Sequence, residues 1–160
     1  MYELNESNVV VKQSATASLT PQVAIEIAVD TAYVASHSGK NIDRGIYMMD
    51  NRNASGSTGE GTLELSTKCP VGNLIGFKVV PINALGTSGD KVEITGFTVS
   101  QGSVFTAAGH PVSQSKDGSY WIGQALAAGS QTYQIQIKVT VGTLHPVPYF
   151  INWDPFITVQ

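Results

Sequence analysis

The densest run of oxygen-bearing side chains is Asp50-Asn51-Arg52-Asn53-Ala54-Ser55-Gly56-Ser57-Thr58-Gly59-Glu60-Gly61. Its glycines suggest a phosphate-cradling loop. The Lys-Ser/Thr pair of a Walker loop is missing, however, and the run joins two strand-like segments instead of opening a helix. Asp50, Asn51, Asn53 and Glu60 offer the hard oxygens that Ca²⁺ gathers in sets of six to eight. Their spacing is neither that of an EF-hand nor that of a Gly-Gly-x-Gly-x-Asp repeat, and a solvated hairpin loop accounts for the same composition.

A second cluster is aromatic. Tyr120-Trp121 follows the turn Ser115-Lys116-Asp117-Gly118, while Tyr149-Phe150 and Trp153-Asp154-Pro155-Phe156 crowd the C-terminal end. An aromatic face beside Asp, Asn or Gln suits a sugar, whose C–H faces stack on the ring while its hydroxyls take hydrogen bonds. Trp121, next to a turn, is the leading ligand candidate, with Tyr120 and Asp117 beside it. Trp153 and Phe156 read as core.

Other chemistries find less support. His37, His110 and His145 are far apart, and two of them precede proline, which places them in extended loops. The single cysteine, Cys69, ends a strand-like segment before Pro70 and can form neither an intramolecular disulfide nor a Cys-based zinc cluster. No Gly-x-Ser-x-Gly elbow is present, and no carboxylate pair sits at a telling spacing. The expectation is a protein that is not an enzyme and carries no cofactor other than a Ca²⁺ ion in the loop at 50–61.

Charge narrows the partners. The net charge is −3 and only 13% of residues are charged, about half the usual share. Ser, Thr, Asn and Gln together number 46 of 160 and supply a neutral hydrogen-bonding surface in place of the missing charge. No two of the nine basic residues are adjacent, so neither the counterion-releasing patch of a nucleic-acid binder nor a basic membrane helix can form. The longest apolar runs, such as Val9-Val10-Val11, are too short to span a bilayer as a helix. The first twenty residues lack the pattern of a cleaved secretory signal, which points to the cytoplasm or to export by another route.

The elements that must position these residues are strands. Tyr133, Ile135, Ile137, Val139 and Val141 alternate with Thr132, Gln134, Gln136, Lys138 and Thr140, and Val23, Ile25, Ile27 and Val29 alternate likewise. Further strands are expected at Gly45–Asp50, Gly61–Lys68, Leu74–Ile82, Lys91–Val99 and Phe156–Gln160, with weaker ones at Val9–Gln13 and Ser103–Thr106. Helical turns are confined to Thr31–Ser36 or Gln124–Ala128. Gly96 shifts the apolar phase by one residue between Ile94 and Phe97, the mark of a bulge. The expected fold is an all-β antiparallel sandwich of about 7–9 short strands, jelly-roll or Ig-like. It forms one domain over 21–160, preceded by an N-terminal arm over 1–20 able to add a strand to a neighbour.

Two segments carry a family resemblance. Tyr120-Trp121-Ile122-Gly123-Gln124-Ala125-Leu126-Ala127-Ala128-Gly129, running into Gln131-Thr132-Tyr133-Gln134-Ile135, resembles an aromatic-rich block of the AidA/PixA inclusion-body proteins. The ending Tyr149-Phe150-Ile151-Asn152-Trp153-Asp154-Pro155-Phe156-Ile157-Thr158-Val159 is similar to that family's C-terminal signature. Departures fall at Asn73 and at Gly76-Phe77-Lys78. The resemblance implies a bacterial β-sandwich, made in the stationary phase or under quorum sensing and stored in intracellular inclusions, with no catalytic residue set to carry over.

Three functions follow as expectations. One is a homo-oligomeric, lectin-like protein binding glycans at a host or cell surface through Trp121, Tyr120, Asp117, Asp50, Asn51 and Asn53. Another is a self-assembling structural or storage protein of inclusions, favoured by low charge repulsion and open strand edges. The third is a host-directed toxin or effector.

Overall fold

A computed structural model describes residues 20–83, 89–99, 103–142 and 144–160. The chain runs through β1 (Val23–Val29), α1 (Thr31–Ser36), β2 (Ile46–Asp50), a 3₁₀ turn at Asn53–Ser55, β3 (Ser66–Cys69), β4 (Leu74–Pro81) and β5 (Lys91–Val99). It continues through β6 (Val112–Ser113), β7 (Tyr120–Gln124), β8 (Gly129–Val141), β9 (Val147–Trp153) and β10 (Phe156–Val159). One five-stranded sheet has the order β2-β1-β4-β7-β6; the other has β3-β10-β8-β5, with β9 also on β8.

Alternation builds both layers. In β1, Val23, Ile25, Ile27 and Val29 are fully buried, and in β8 the same holds for Tyr133, Ile135, Ile137 and Val139. Each such aliphatic side chain contributes about 1.5–3 kcal/mol by leaving water. The inner faces meet through aromatic rings: Phe77 of β4 lies 4.7 Å from Phe97 of β5 and 6.0 Å from Tyr133 of β8, centroid to centroid. Trp153 of β9 reaches across to Met48 of β2, donating Nε1–H to Sδ at 3.1 Å. One continuous core results.

The all-β expectation holds, but the sheets are mixed, not purely antiparallel. β1 pairs with β4 in parallel, and β10 pairs with β3 in parallel. Adjacent strands in a jelly-roll or Ig-like sandwich run antiparallel; here the chain leaves β1 through α1, β2 and β3 before returning beside it as β4, long enough a connection for a parallel pair. The expected bulge is present, with the β5–β8 register slipping between Ile94 and Gly96. The helical turn at Thr31–Ser36 forms, capped by Asp30 Oδ1 accepting from Tyr33 N–H at 3.1 Å.

Elsewhere the sequence reading is corrected. Only residues 66–68 of the expected Gly61–Lys68 strand are extended, in a strand that runs on to Cys69, because Gly59 and Gly61 take positive φ and turn the chain at its start. Ser103–Thr106 is a turn instead of a strand, and Gln124–Ala128 is not helical. The Val9–Gln13 strand, and with it almost all of the 1–20 arm, lies outside the described residues.

The register of β8 is continuous along one edge. Ile137 faces Ile151 and Ile135 faces Trp153 in β9; beyond Asp154-Pro155, Thr132 faces Phe156 and Gly129 faces Val159 in β10. Tyr133 N–H donates to Pro155 O at 3.0 Å inside the break. β9 and β10 are therefore one strand interrupted, not re-registered, at Pro155, which cannot donate to a ladder.

The Tyr133 hydroxyl has no hydrogen-bond partner among the described residues, and burial pushes its ionisation well up. Tyr133→Phe should raise the free energy of unfolding in urea by about 1 kcal/mol by removing an unsatisfied group. Tyr133→Ala should cost about 3–5 kcal/mol by opening a cavity.

Candidate functional site

The loop at 50–61 spends its oxygens on itself. Asp50 Oδ1 accepts from Arg52 N–H at 2.8 Å, and Oδ2 accepts from Thr67 Oγ1–H at 2.7 Å. Asn51 Oδ1 accepts from Ala24 N–H at 3.0 Å while its Nδ2 donates to Gln22 O at 3.1 Å, so the side chain splices the loop onto the start of β1. Asn53 opens the 3₁₀ turn and is exposed, apart from the other two in role. Thr58 and Ser66 exchange backbone hydrogen bonds, and Ser57 Oγ accepts from Lys68 N–H. A hairpin loop bound at so many points is a structural clamp rather than an open ligand cradle. Among the described residues no three His, Cys, Asp or Glu side chains converge as a metal ion would require.

The aromatic turn is likewise occupied. Trp121 lies opposite Phe77 in the β4–β7 register and so points inward, packing 5.6 Å from Phe97. Its Nε1–H donates to Gly118 O at 3.2 Å. Tyr120 points to the outer face and lies across Gly76, where a Cβ would meet its Oη at 2.9 Å. Asp117 Oδ1 accepts from Ser119 N–H, Ser119 Oγ–H and Ser115 Oγ–H, which together hold its carboxyl down at about 2. The turn also props the edge of the second sheet, because Gly118 O accepts from Ile94 N–H at 2.9 Å. Three interstrand spacings, about 14 Å, separate β2 from β7. The two sets of sequence-predicted residues thus belong to different parts of the molecule.

The remaining reactive groups are quiet. Cys69 is buried, and burial pushes its thiol up, away from the thiolate that a nucleophile requires. The His37 ring stacks on Tyr33 at 4.1 Å, and its Nδ1 lies 2.8 Å from Ser36 Oγ and 2.9 Å from Tyr33 O.

The face that sequence reasoning missed is the outer surface of the second sheet. Phe150 stands opposite Lys138 on the even, outward register of β8 and is 66% exposed. Beside it a side-chain relay runs from β5 across β8 to the β9–β10 junction: Gln136 Nε2 donates to Thr98 Oγ1 at 3.1 Å and to Gln134 Oε1 at 3.2 Å, and Gln134 Nε2 donates to the Asp154 carboxylate at 3.3 Å. Asn152 sits opposite Gln136, exposed, with no side-chain hydrogen bond to the described residues. Two hollows flank this ridge. One, of about 190 Å³, is lined by Thr95, Gln136, Phe150 and Asn152; the other, of about 400 Å³, by Lys40, Asn41, Glu64, Phe150, Asn152 and Asp154. Reading outward positions along Phe150, Asn152, Asp154 and Phe156 would have found the face, but Pro148 and the exposed Phe150 hide the strand by breaking polar–apolar alternation.

One local feature has a pH signature. Glu60 Oε2 accepts from Asp50 N–H at 2.9 Å, and its other carboxyl oxygen is buried without a partner. Burial raises the Glu60 carboxyl, and the neighbouring Asp50 carboxyl raises it further. The folded state therefore holds the Glu60 proton more tightly than the unfolded chain does, so stability should rise as pH falls from neutral through the folded pKa, until the unfolded value is reached. Glu60→Gln should increase stability at neutral pH and flatten this part of the profile, as read from urea midpoints at several pH values.

Over residues 21–145 the chain matches a family described as Domain of unknown function (DUF8788). No curated protein matches it in sequence. Among solved structures it is similar to the crystal structure of an inclusion body protein (PixA) from Burkholderia cenocepacia J2315. The TM-score is 0.68 at 18% identity, over 91% of this chain and 99% of that one. The likeness to inclusion-body proteins read from the C-terminal segments is thus borne out in the fold. The chain belongs to the DUF8788 family and folds as that PixA inclusion body protein does.

Proposed function

We propose that this chain is a non-enzymatic, self-associating protein of the inclusion-body type, acting as a homo-oligomer stored in intracellular inclusions. The observation that carries the reading is β5, a nine-residue strand at the end of its sheet. Apart from the Ile94 N–H held by Gly118 O, its far side has no strand partner among the described residues, so its ladder groups are free to pair with another copy. The shared fold and the sparse surface charge support association, since little repulsion opposes it. A lysine on that edge is the usual guard against pairing. Sedimentation velocity should show dimers or larger species that grow with concentration and recede in Thr98→Lys. A monomer at every concentration would contradict the reading.

A second reading is carbohydrate recognition at a host or cell surface, supported by the polar side chains of Thr95, Gln136 and Asn152 beside the exposed Phe150. In this reading Phe150 takes the place of the turn around Trp121, whose indole N–H, like the Asp117, Asp50 and Asn51 side chains, already bonds within the chain, and binding is independent of Ca²⁺. On a glycan array, binding should be the same with Ca²⁺ and with EDTA; EDTA-sensitive binding would return attention to the 50–61 loop.

A further inference from the structure

Resting on the carbohydrate reading, we infer that the outer face of β8 and β9 binds an extended, uncharged polysaccharide of β-1,4-linked hexoses, with one sugar stacked on Phe150. A protein–protein hot spot places its aromatic anchor among other apolar groups, and a membrane-binding face adds basic residues around several such anchors. Phe150 stands instead beside Gln136, Thr95 and Asn152, with Lys138 opposite it held by Glu93 at 3.1 Å and with Lys40, Glu64 and Asp154 lining the larger hollow, so charges of both signs are present and neither sign forms a patch. Nucleobase stacking would call for several free cations tracking a phosphate backbone, whereas here Lys138 is paired with Glu93 and Lys40 shares its hollow with the carboxylates of Glu64 and Asp154.

Shape supplies the linkage. The face is a sheet surface, not a cup, so it suits a flat ribbon-like chain and not a single terminal sugar. Hexoses joined β-1,4 with equatorial hydroxyls present C–H faces above and below and hydroxyls at the rim. The C–H faces match a phenyl ring and the rim hydroxyls match amides. The two hollows share Phe150 and Asn152 as a common wall and lie on either side of the ring, placed for the sugars before and after the stacked one. The amide relay from Thr98 to Asp154 is fixed before any ligand arrives, which lowers the ordering cost of binding.

The test is depletion of the full-length protein from solution by microcrystalline cellulose and by chitin, with α-linked starch granules as comparison. The expected result is retention on at least one β-1,4 polymer and not on starch. Retention should weaken at least tenfold in Phe150→Ala, with unchanged thermal unfolding, and be undiminished in Tyr47→Ala on the outer face of the other sheet. Retention on neither β-1,4 polymer overturns both the inference and, with a blank glycan array, the carbohydrate reading. Retention indifferent to Phe150→Ala overturns this site while leaving that reading standing. If Phe150→Ala abolishes self-association and no polymer binds, the face is an interface between copies and the inference fails.

Discussion

Tyr133, Ile135, Ile137 and Val139 run down the inner face of β8, and their burial leaves the intervening residues no choice but the outer face. Because the pairing of β8 with β9 carries through Asp154-Pro155 into β10 without slipping, the same parity is imposed on the whole C-terminal strand. A slip of one residue would bury Phe150 and Asn152 and expose Ile151 and Trp153, at a cost of several large apolar side chains. The exposure of Phe150 is thus a consequence of core packing by residues 11–17 positions earlier in the chain, not a local accident.

The same core dictates where ligand chemistry is absent. Trp121 is drawn inward because Phe77, its partner across β4 and β7, belongs to the aromatic cluster joining the sheets. Asp50 and Asn51 are drawn onto backbone donors because the chain between β2 and β3 must fold back and fasten to the β1 entrance. These polar side chains satisfy backbone groups that would otherwise be unpaired in a turn-rich segment. Their density in the sequence records the demands of a folded loop. The outer face left over exposes the rings of Phe150 and Phe156.

How legible was this in the sequence? β1, β5 and β8 are plain from alternation, and the Gly96 bulge from a phase shift, because one face of each is core and the other water; β4 is expected as a strand although Ile75, Gly76 and Phe77 are buried in succession. β7 was missed because Ile122 and Gly123 are buried consecutively, so no period of two survives. β9 was missed because it contains Pro148 and shows a phenylalanine to solvent. The parallel pairs β1–β4 and β3–β10 could not be read, since alternation says which face is buried but not which neighbour a strand takes. The aromatic and oxygen-rich motifs stand out in composition, but residue type alone does not tell that Asp50, Asn51 and Asp117 already spend oxygens on hydrogen bonds within the chain. Phe150, at the place where local pattern rules fail, is where function is expected to sit.

The most direct test of the central claim, that recognition belongs to the outer face of the second sheet and not to the Trp121 turn, is a map of backbone amide shifts. It would be recorded on the ¹⁵N-labelled protein as a soluble β-1,4-linked oligosaccharide is titrated in. The account predicts shifts that saturate at Gln136, Phe150 and Asn152 and leave Asp117 to Trp121 and Asp50 to Asn53 unmoved. Saturating shifts centred on either of those loops, with the β8–β9 face silent, would contradict it.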